Sequence, residues 1–179
     1  NLYNQIDYKN GAELRANENV EAQLLIGSGR AYGVELFFKK KYGKLNGWIG
    51  YTLSWNNRTF PEINGGKTYR FKYDRRHDFE IVGNYPISKH WSGSMSWQFS
   101  TGNAITLPVI KYKAESGPFN EYYYDDILIN GSKNAYTMAP FHRLDVSFEY
   151  RVKKKKYESA WVFGIYNAYN RSNPFFIST

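Results

Sequence analysis

The chain has 179 residues, no cysteine, a net charge of +8 and an aromatic content of 19%. The absence of cysteine excludes disulfides, thiolate metal sites and cysteine nucleophiles, and no apolar run approaches the roughly 18 residues that a membrane-spanning helix needs. A membrane β-barrel is not excluded, because only alternate residues of its strands meet lipid and its interfacial girdles are aromatic.

The first part of the chain predicts three strands. Leu2, Ile6 and Tyr8 alternate with polar residues in a strand that ends at Asn10-Gly11, before a polar loop. Segment 20–41 is β-rich but contains Gly27-Ser28-Gly29, which predicts one bent strand with a bulge or kink at the glycines. After a short turn, residues 48–57 form a strand whose large residues share one face: Ile49, Tyr51, Leu53 and Trp55.

The central stretch, 74–102, predicts a hairpin with two chemically different faces. Phe79, Ile81 and Tyr85 alternate with polar residues, and a five-residue link at 86–90 reverses the chain. In the second strand, large side chains alternate with a row of small polar ones: Ser92, Ser94, Ser96, Gln98 and Ser100. A serine-rich face suits a wet interior, and a face rich in Trp and Phe suits lipid.

Two further strands are predicted, at 142–151 and about 157–168, after an irregular stretch at 102–139. The connections then alternate strictly between short and long. A meander through an outer membrane has this pattern, with short periplasmic turns and long extracellular loops, whereas a soluble sandwich does not require it. The sequence therefore predicts an all-β, antiparallel up-and-down meander of about seven strands, a segment of a transmembrane β-barrel.

Short motifs in a fixed order resemble the C-terminal barrel half of TonB-dependent outer-membrane receptors. The matching stretches cover nearly the whole chain: GRAYGVEL at 29–36, GKLNGW at 43–48, YTLS at 51–54, INGG at 63–66, YDRRHD at 73–78, TGNAITLP at 101–108 and YNAYNRSNP at 166–174.

This resemblance implies a wall of a large barrel of the 22-stranded, plugged type in the bacterial outer membrane. Residues 1–179 would be a partial barrel, and an odd number of strands is not expected to close alone. No signal peptide, plug domain, TonB box or terminal strand is predicted within the sequence, which favours an internal piece. The implied partners are lipid, the plug and remaining strands, the TonB complex acting through that plug, and in some receptors a surface lipoprotein.

The resemblance implies energy-coupled uptake of a large, scarce ligand, such as an iron chelate, haem, cobalamin, a glycan or a peptide. Extracellular-loop candidates for ligand contact are Arg75, Tyr122, Tyr123, Tyr124, Asp125 and Asp126, since loop tyrosines can stack on a sugar or an aromatic ligand. Strand parity directs a second group inward, for contact with ligand or plug: Glu35, Asp78, Glu80, Arg143, Asp145 and Glu149. The alternatives are solvated loop residues for the first group and cross-strand ion pairs for the second.

Other functions are less favoured. No nucleophile–base arrangement, nucleotide motif or zinc spacing occurs, so neither an enzyme nor a cofactor is predicted. His77 and His142 lie on strands about 10 Å apart, too far for a shared metal site. The lysine runs at 39–44 and 153–156 flank short turns, where anionic lipid rather than nucleic acid would hold them. A passive or adhesive outer-membrane barrel and a soluble, aromatic-rich binding module remain alternatives.

Overall fold

The computed structural model describes residues 1–9, 23–116 and 123–174. The strands of its main sheet are β1 (Leu2–Tyr8), β2 (Leu24–Lys40), β3 (Asn46–Thr59), β4 (Tyr69–Arg70), β5 (His77–Pro86), β6 (Trp91–Ser100), β11 (Phe141–Lys153) and β12 (Glu158–Ile165). The connection between β6 and β11 contains β7 (Ala104–Ile105), β8 (Pro108–Ser116), β9 (Tyr123–Asn130) and β10 (Tyr136–Thr137). A 3₁₀ turn spans Asn64–Gly66. None of the described residues belongs to a helix that could cross a membrane.

The main sheet is antiparallel and follows the chain, in the order β1-β2-β3-β5-β6-β11-β12, with β4 added on β3. The all-β meander of seven strands is therefore confirmed. Within the described residues β1 and β12 do not pair with each other, so the sheet is open. Short turns at one side of the sheet join β2 to β3, β5 to β6 and β11 to β12; we call this side the turn end and the opposite side the loop end.

The irregularity of the first strands lies in β1 and not at the glycines of β2. β2 pairs with β3 without interruption from Ser28 to Lys40. The register shift falls between Leu2 and Gln5, where Asn4 adopts a φ of 52°. The extra residue belongs to β1 and lies opposite Gly27–Gly29, so the predicted bulge within β2 is wrong. The placement of Leu2 on the same face as Ile6 is also wrong, because one extra residue reverses the facing of those before it.

The stretch 102–139, predicted as irregular, contains four strands. β8 and β9 form an antiparallel hairpin, and β7 pairs with β10. β8 and β9 pair with each other and not with the main sheet, so the alternation that predicted the strands of that sheet did not mark them.

One face of the main sheet, which we call the apolar face, is built almost wholly from large apolar side chains. One register row joins Tyr51, Phe79, Phe99 and His142, and the next joins Ile49, Ile81, Trp97 and Leu144. Neighbouring rings contact one another, as Phe79 and Trp97 do at 5.7 Å between centroids. Many of these side chains are more than half exposed, for instance Phe38 at 66%, so the face has no protein partner in the chain described.

The opposite, polar face carries small and charged side chains, including Thr52, Glu80, Ser96 and Arg143. Trp48 also lies on this face, because its neighbours in the register are Lys39 and Val82, and it packs on Phe37 at 5.7 Å. Trp48 therefore does not share the face of Trp55. Trp48 and Gly50 are two residues apart in the strand, so strand alternation alone places both on the same, polar face.

From β3 to β11, the ends of successive strands are displaced in the same direction along the strands. A register row through Gly47, Gly83, Met95 and Val146 lies at the turn end of β3 but in the middle of β11. On the other side, β2 and β3 extend beyond the row in which β5 begins at His77. Strands that are tilted relative to the line through their turns produce this stagger, which a sheet needs to curve into a barrel.

Candidate functional site

All six side chains predicted to face the interior lie on one face, the polar face. Asp78, Glu80, Arg143 and Asp145 lie near one another on β5 and β11, on either side of β6, whereas Glu35 lies further along the sheet on β2. Glu35, Thr52 and Asp78 form one register row, and Glu80, Gln98 and Arg143 form the next. Gln98 Nε2 donates to Glu80 Oε1 at 3.2 Å. Asp145 lies one step further along β11 from Arg143 on the same face. The structure therefore concentrates charged and amide groups across β5, β6 and β11.

Arg143 is the centre of the interactions at this place. Its Nη2 lies 2.9 Å from Asp145 Oδ2, and its guanidinium stacks on the Tyr166 ring at 4.2 Å from the centroid. The other oxygen of Asp145 accepts from the backbone N–H of Asn167 at 2.9 Å. The ion pair joins two residues of the same strand, β11, and is not one of the expected cross-strand pairs. Both side chains are partly exposed, so it contributes little to stability.

Glu149 lies apart from the others. It is on the polar face near the turn end, where Arg151 bridges Glu149 and Glu158. The three side chains are between about a quarter and a half exposed, so the pairing is weak. Glu149 is not part of the cluster around Arg143.

Arg75, a loop candidate, stands between two clefts. A cleft of about 220 Å³ is bordered by Arg75, Asp78, Glu80 and Gln98. Another, of about 330 Å³, is bordered by Arg75 together with Asn103 and apolar residues such as Phe141. Arg75 Nε donates to Asn103 Oδ1 at 3.2 Å. The side chain thereby connects the loop end to the polar face.

The other loop candidates are placed differently from the prediction. Tyr123 to Asp126 belong to strand β9 and pair with 113–116 of β8, so their assignment to an irregular loop is wrong. Tyr122 lies outside the described residues. The backbone does not bring this segment into pairing with the main sheet.

A compact assembly that the sequence did not reveal closes over the polar face at the loop end. We call it the loop cap: residues 60–76 and 131–137. Its apolar part is the small core formed by Leu25, Phe60, Ile63 and Tyr69. A Cβ at Gly27 would lie 2.6 Å from the Phe60 ring, so the glycine of β2 serves close approach of the cap and not a kink.

Asp74 is the buried polar centre of the loop cap. Its side chain is fully buried; Oδ2 lies 2.8 Å from Arg70 Nε and 3.0 Å from Arg76 Nη2, while Oδ1 accepts the backbone N–H of Asn56 at 2.8 Å. Arg70 also donates to Thr137 Oγ1 at 2.6 Å. A buried carboxylate with three charge-assisted or backbone partners fixes the cap on β3.

Lys133 and Asn64 join distant parts of the chain. The backbone N–H of Lys133 donates to Asn64 Oδ1 at 2.7 Å, and its carbonyl accepts from Asn64 Nδ2 at 3.1 Å. Lys133 Nζ lies 2.7 Å from Asp7 Oδ1, and Tyr69 donates to the other oxygen of Asp7 at 2.7 Å. Asn64 adopts a φ of 54° ahead of Gly65 at 64°, so the Asn-Gly-Gly turn signal marked this contact point.

His77 and His142 lie on the apolar face near the loop end. His77 Nδ1 is 2.9 Å from the Tyr51 hydroxyl, and His142 Nδ1 is 2.7 Å from that of Tyr169. They are on β5 and β11, separated by β6, as predicted. In the part of the chain that the structure describes, no group of three metal-ligating side chains is found.

The polar face carries hydrogen-bonding and ionic groups beneath the loop cap. Among the described side chains, no nucleophile–base pair is brought together there. Searches found no matching family model, no matching curated protein and no matching solved structure.

Proposed function

We propose that the chain forms part of the wall of an outer-membrane transport barrel and of the cap over its lumen. The observation that carries the proposal is the contrast between the two faces of one tilted sheet. An exposed apolar face with no partner in a described sheet suits lipid, and a face of serine, threonine, glutamine and ion pairs suits water. Soluble sheets cover their apolar face with a second layer.

Two further features support a barrel wall. The stagger of the strand ends fits tilted strands, and every short turn of the main sheet lies at one end, as in outer-membrane meanders. The loop cap lies over the polar face at the other end, where a receptor would capture ligand. Together with the motif resemblance to TonB-dependent receptors, this favours energy-coupled uptake of a large, scarce ligand. The cluster around Arg143 would then contact ligand or plug.

The test is growth of a deletion strain on a panel of scarce nutrients that includes iron chelates, haem, cobalamin, glycans and peptides. Deletion is expected to abolish growth on one of them at limiting supply, and the intact gene should restore it. Restoration should fail when the TonB complex is inactivated, because a plugged barrel needs that energy input. Restoration without TonB would indicate a passive barrel, and a protein that is extracted without detergent would contradict both.

A further inference from the structure

The apolar face contains a polar cavity at its loop end. The cavity has a volume of about 430 Å³ and lies where β1, β2 and β3 meet. Its lining combines Arg30 and Asn57 with the aliphatic hydroxyl residues Ser28, Thr59 and Thr68, and residues 1–3 and Tyr32 also border it. The hydroxyls of Thr59 and Thr68 are 2.9 Å apart. Guanidinium, amide and hydroxyl groups are the side chains that hydrogen-bond phosphate oxygens.

Among the described residues, Arg30 is held by an aromatic ring and not by a carboxylate. It pairs with Asn57 across β2 and β3, and its guanidinium lies 5.3 Å from the centroid of the Tyr32 ring. Tyr32 stacks on Trp55 at 5.3 Å, and the Arg76 guanidinium lies 4.9 Å from the centroid of the Trp55 ring. This stack orients Arg30 while leaving its hydrogen-bond donors available to the cavity.

Charge is distributed unequally between the two faces. In the described strands β1, β2, β3, β5, β6, β11 and β12, every carboxylate lies on the polar face: Asp7, Glu35, Asp78, Glu80, Asp145, Glu149 and Glu158. The cationic residues of the apolar face in these strands are Arg30 near the loop end and Lys40 at the turn end. A cation on a lipid-facing surface without an internal partner needs an anion from the membrane.

We propose that the cavity binds the phosphate of an anionic lipid headgroup in the leaflet at the loop end. The inference rests on the proposed function, because it requires the apolar face to meet lipid. Arg30 and Asn57 donate to the phosphate, the threonine hydroxyls complete the hydrogen bonds, and the Tyr32–Trp55 stack lies against the adjoining part of the lipid. The site would attach one phospholipid or phosphorylated glycolipid to the outside of the wall.

The test uses the full protein purified in detergent and native mass spectrometry with three probes: dioleoyl phosphatidic acid, dioleoyl phosphatidylcholine and inorganic phosphate. We expect phosphatidic acid to bind about tenfold better than phosphatidylcholine, and Arg30→Gln to lower that binding about tenfold, the loss of one charge-assisted contact. Asn57→Asp, which places a carboxylate in the cavity at constant size, should have a similar effect. Lys39→Gln, on the polar face, is the matched control and should change nothing.

Equal retention of phosphatidic acid by the native protein, Arg30→Gln and Asn57→Asp would overturn the site. Full competition by inorganic phosphate at the concentration of the lipid would also overturn it, since the ligand would then be the free ion. An unchanged unfolding midpoint of Asn57→Asp shows that lost binding is not lost folding. Lipid contact at Trp97 without any effect of these variants would refute this site alone, whereas absence of lipid contact would refute the barrel as well.

Discussion

Met95→Arg is expected to prevent most of the protein from folding into a bilayer. Met95 lies on the apolar face of β6, between Gly83 and Val146 and far from both strand ends. A guanidinium at that depth on a lipid-facing surface costs roughly 2–4 kcal/mol. The measurement is the folded yield in lipid vesicles, and at 3 kcal/mol the folded-to-unfolded ratio falls about a hundredfold.

Ser96→Arg is the matched control for this substitution. Ser96 is the next residue of the same strand, but it lies on the polar face and pairs with Asp145 and Val82. An Arg there can stay hydrated and can approach the Asp145 carboxylate, so we expect a folded yield within twofold of the native protein. Equal losses for the two substitutions would mean that the faces do not differ in environment.

Asp74→Ala is expected to release the loop cap from β3. The substitution leaves the guanidinium groups of Arg70 and Arg76 and the backbone N–H of Asn56 without their acceptor. Removing one partner of a fully buried pair costs about 3–5 kcal/mol. The two arginine side chains are more than a quarter exposed, so water compensates in part and we expect about 2–3 kcal/mol.

Hydrogen exchange at the Asn56 and Phe71 amides reports this loss directly, because both amides donate within the cap and β3. Their protection should fall by about the same free energy, while the amides of β6 and β11 keep theirs. Glu62→Ala, in the same segment but exposed, is the control and should leave exchange unchanged. Full protection in Asp74→Ala would show that the carboxylate does not fix the cap.

The sheet could be predicted from the sequence because period-two alternation is a direct consequence of strand geometry. Ser94, Ser96 and Gln98 opposite Met95 and Trp97 specify both the strand and its faces. The same alternation placed Glu80 and Arg143 on one face of the sheet, and the register confirms that they share it. The local sequence pattern is sufficient to predict such strands, because successive residues alternate between only two environments.

The loop cap could not be predicted because its contacts join residues far apart in the chain. Nothing near Lys133 in the sequence indicates that its ammonium meets Asp7, or that its backbone pairs with the Asn64 amide. Asn173 acts similarly on β11, where its side chain pairs with the backbone N–H and carbonyl of His142. An amide side chain that substitutes for a strand partner leaves no periodic signal.

The bulge in β1 was missed for a related reason. Glycines in a strand mark either a bulge or a close approach, and in β2 Gly27 serves the approach of Phe60. The extra residue is accommodated instead at Asn4, since asparagine tolerates a positive φ. A single sequence does not distinguish these two uses of glycine.

Contact between the apolar face and lipid is the central claim, and fluorescence quenching of single-tryptophan variants tests it most directly. Trp91, Trp97 and Trp161 lie on the apolar face and Trp48 on the polar face. In vesicles we expect brominated acyl chains to quench Trp97 strongly and leave Trp48 largely unquenched, while aqueous iodide does the reverse. Quenching of Trp97 by iodide together with no effect of brominated chains would contradict the barrel wall.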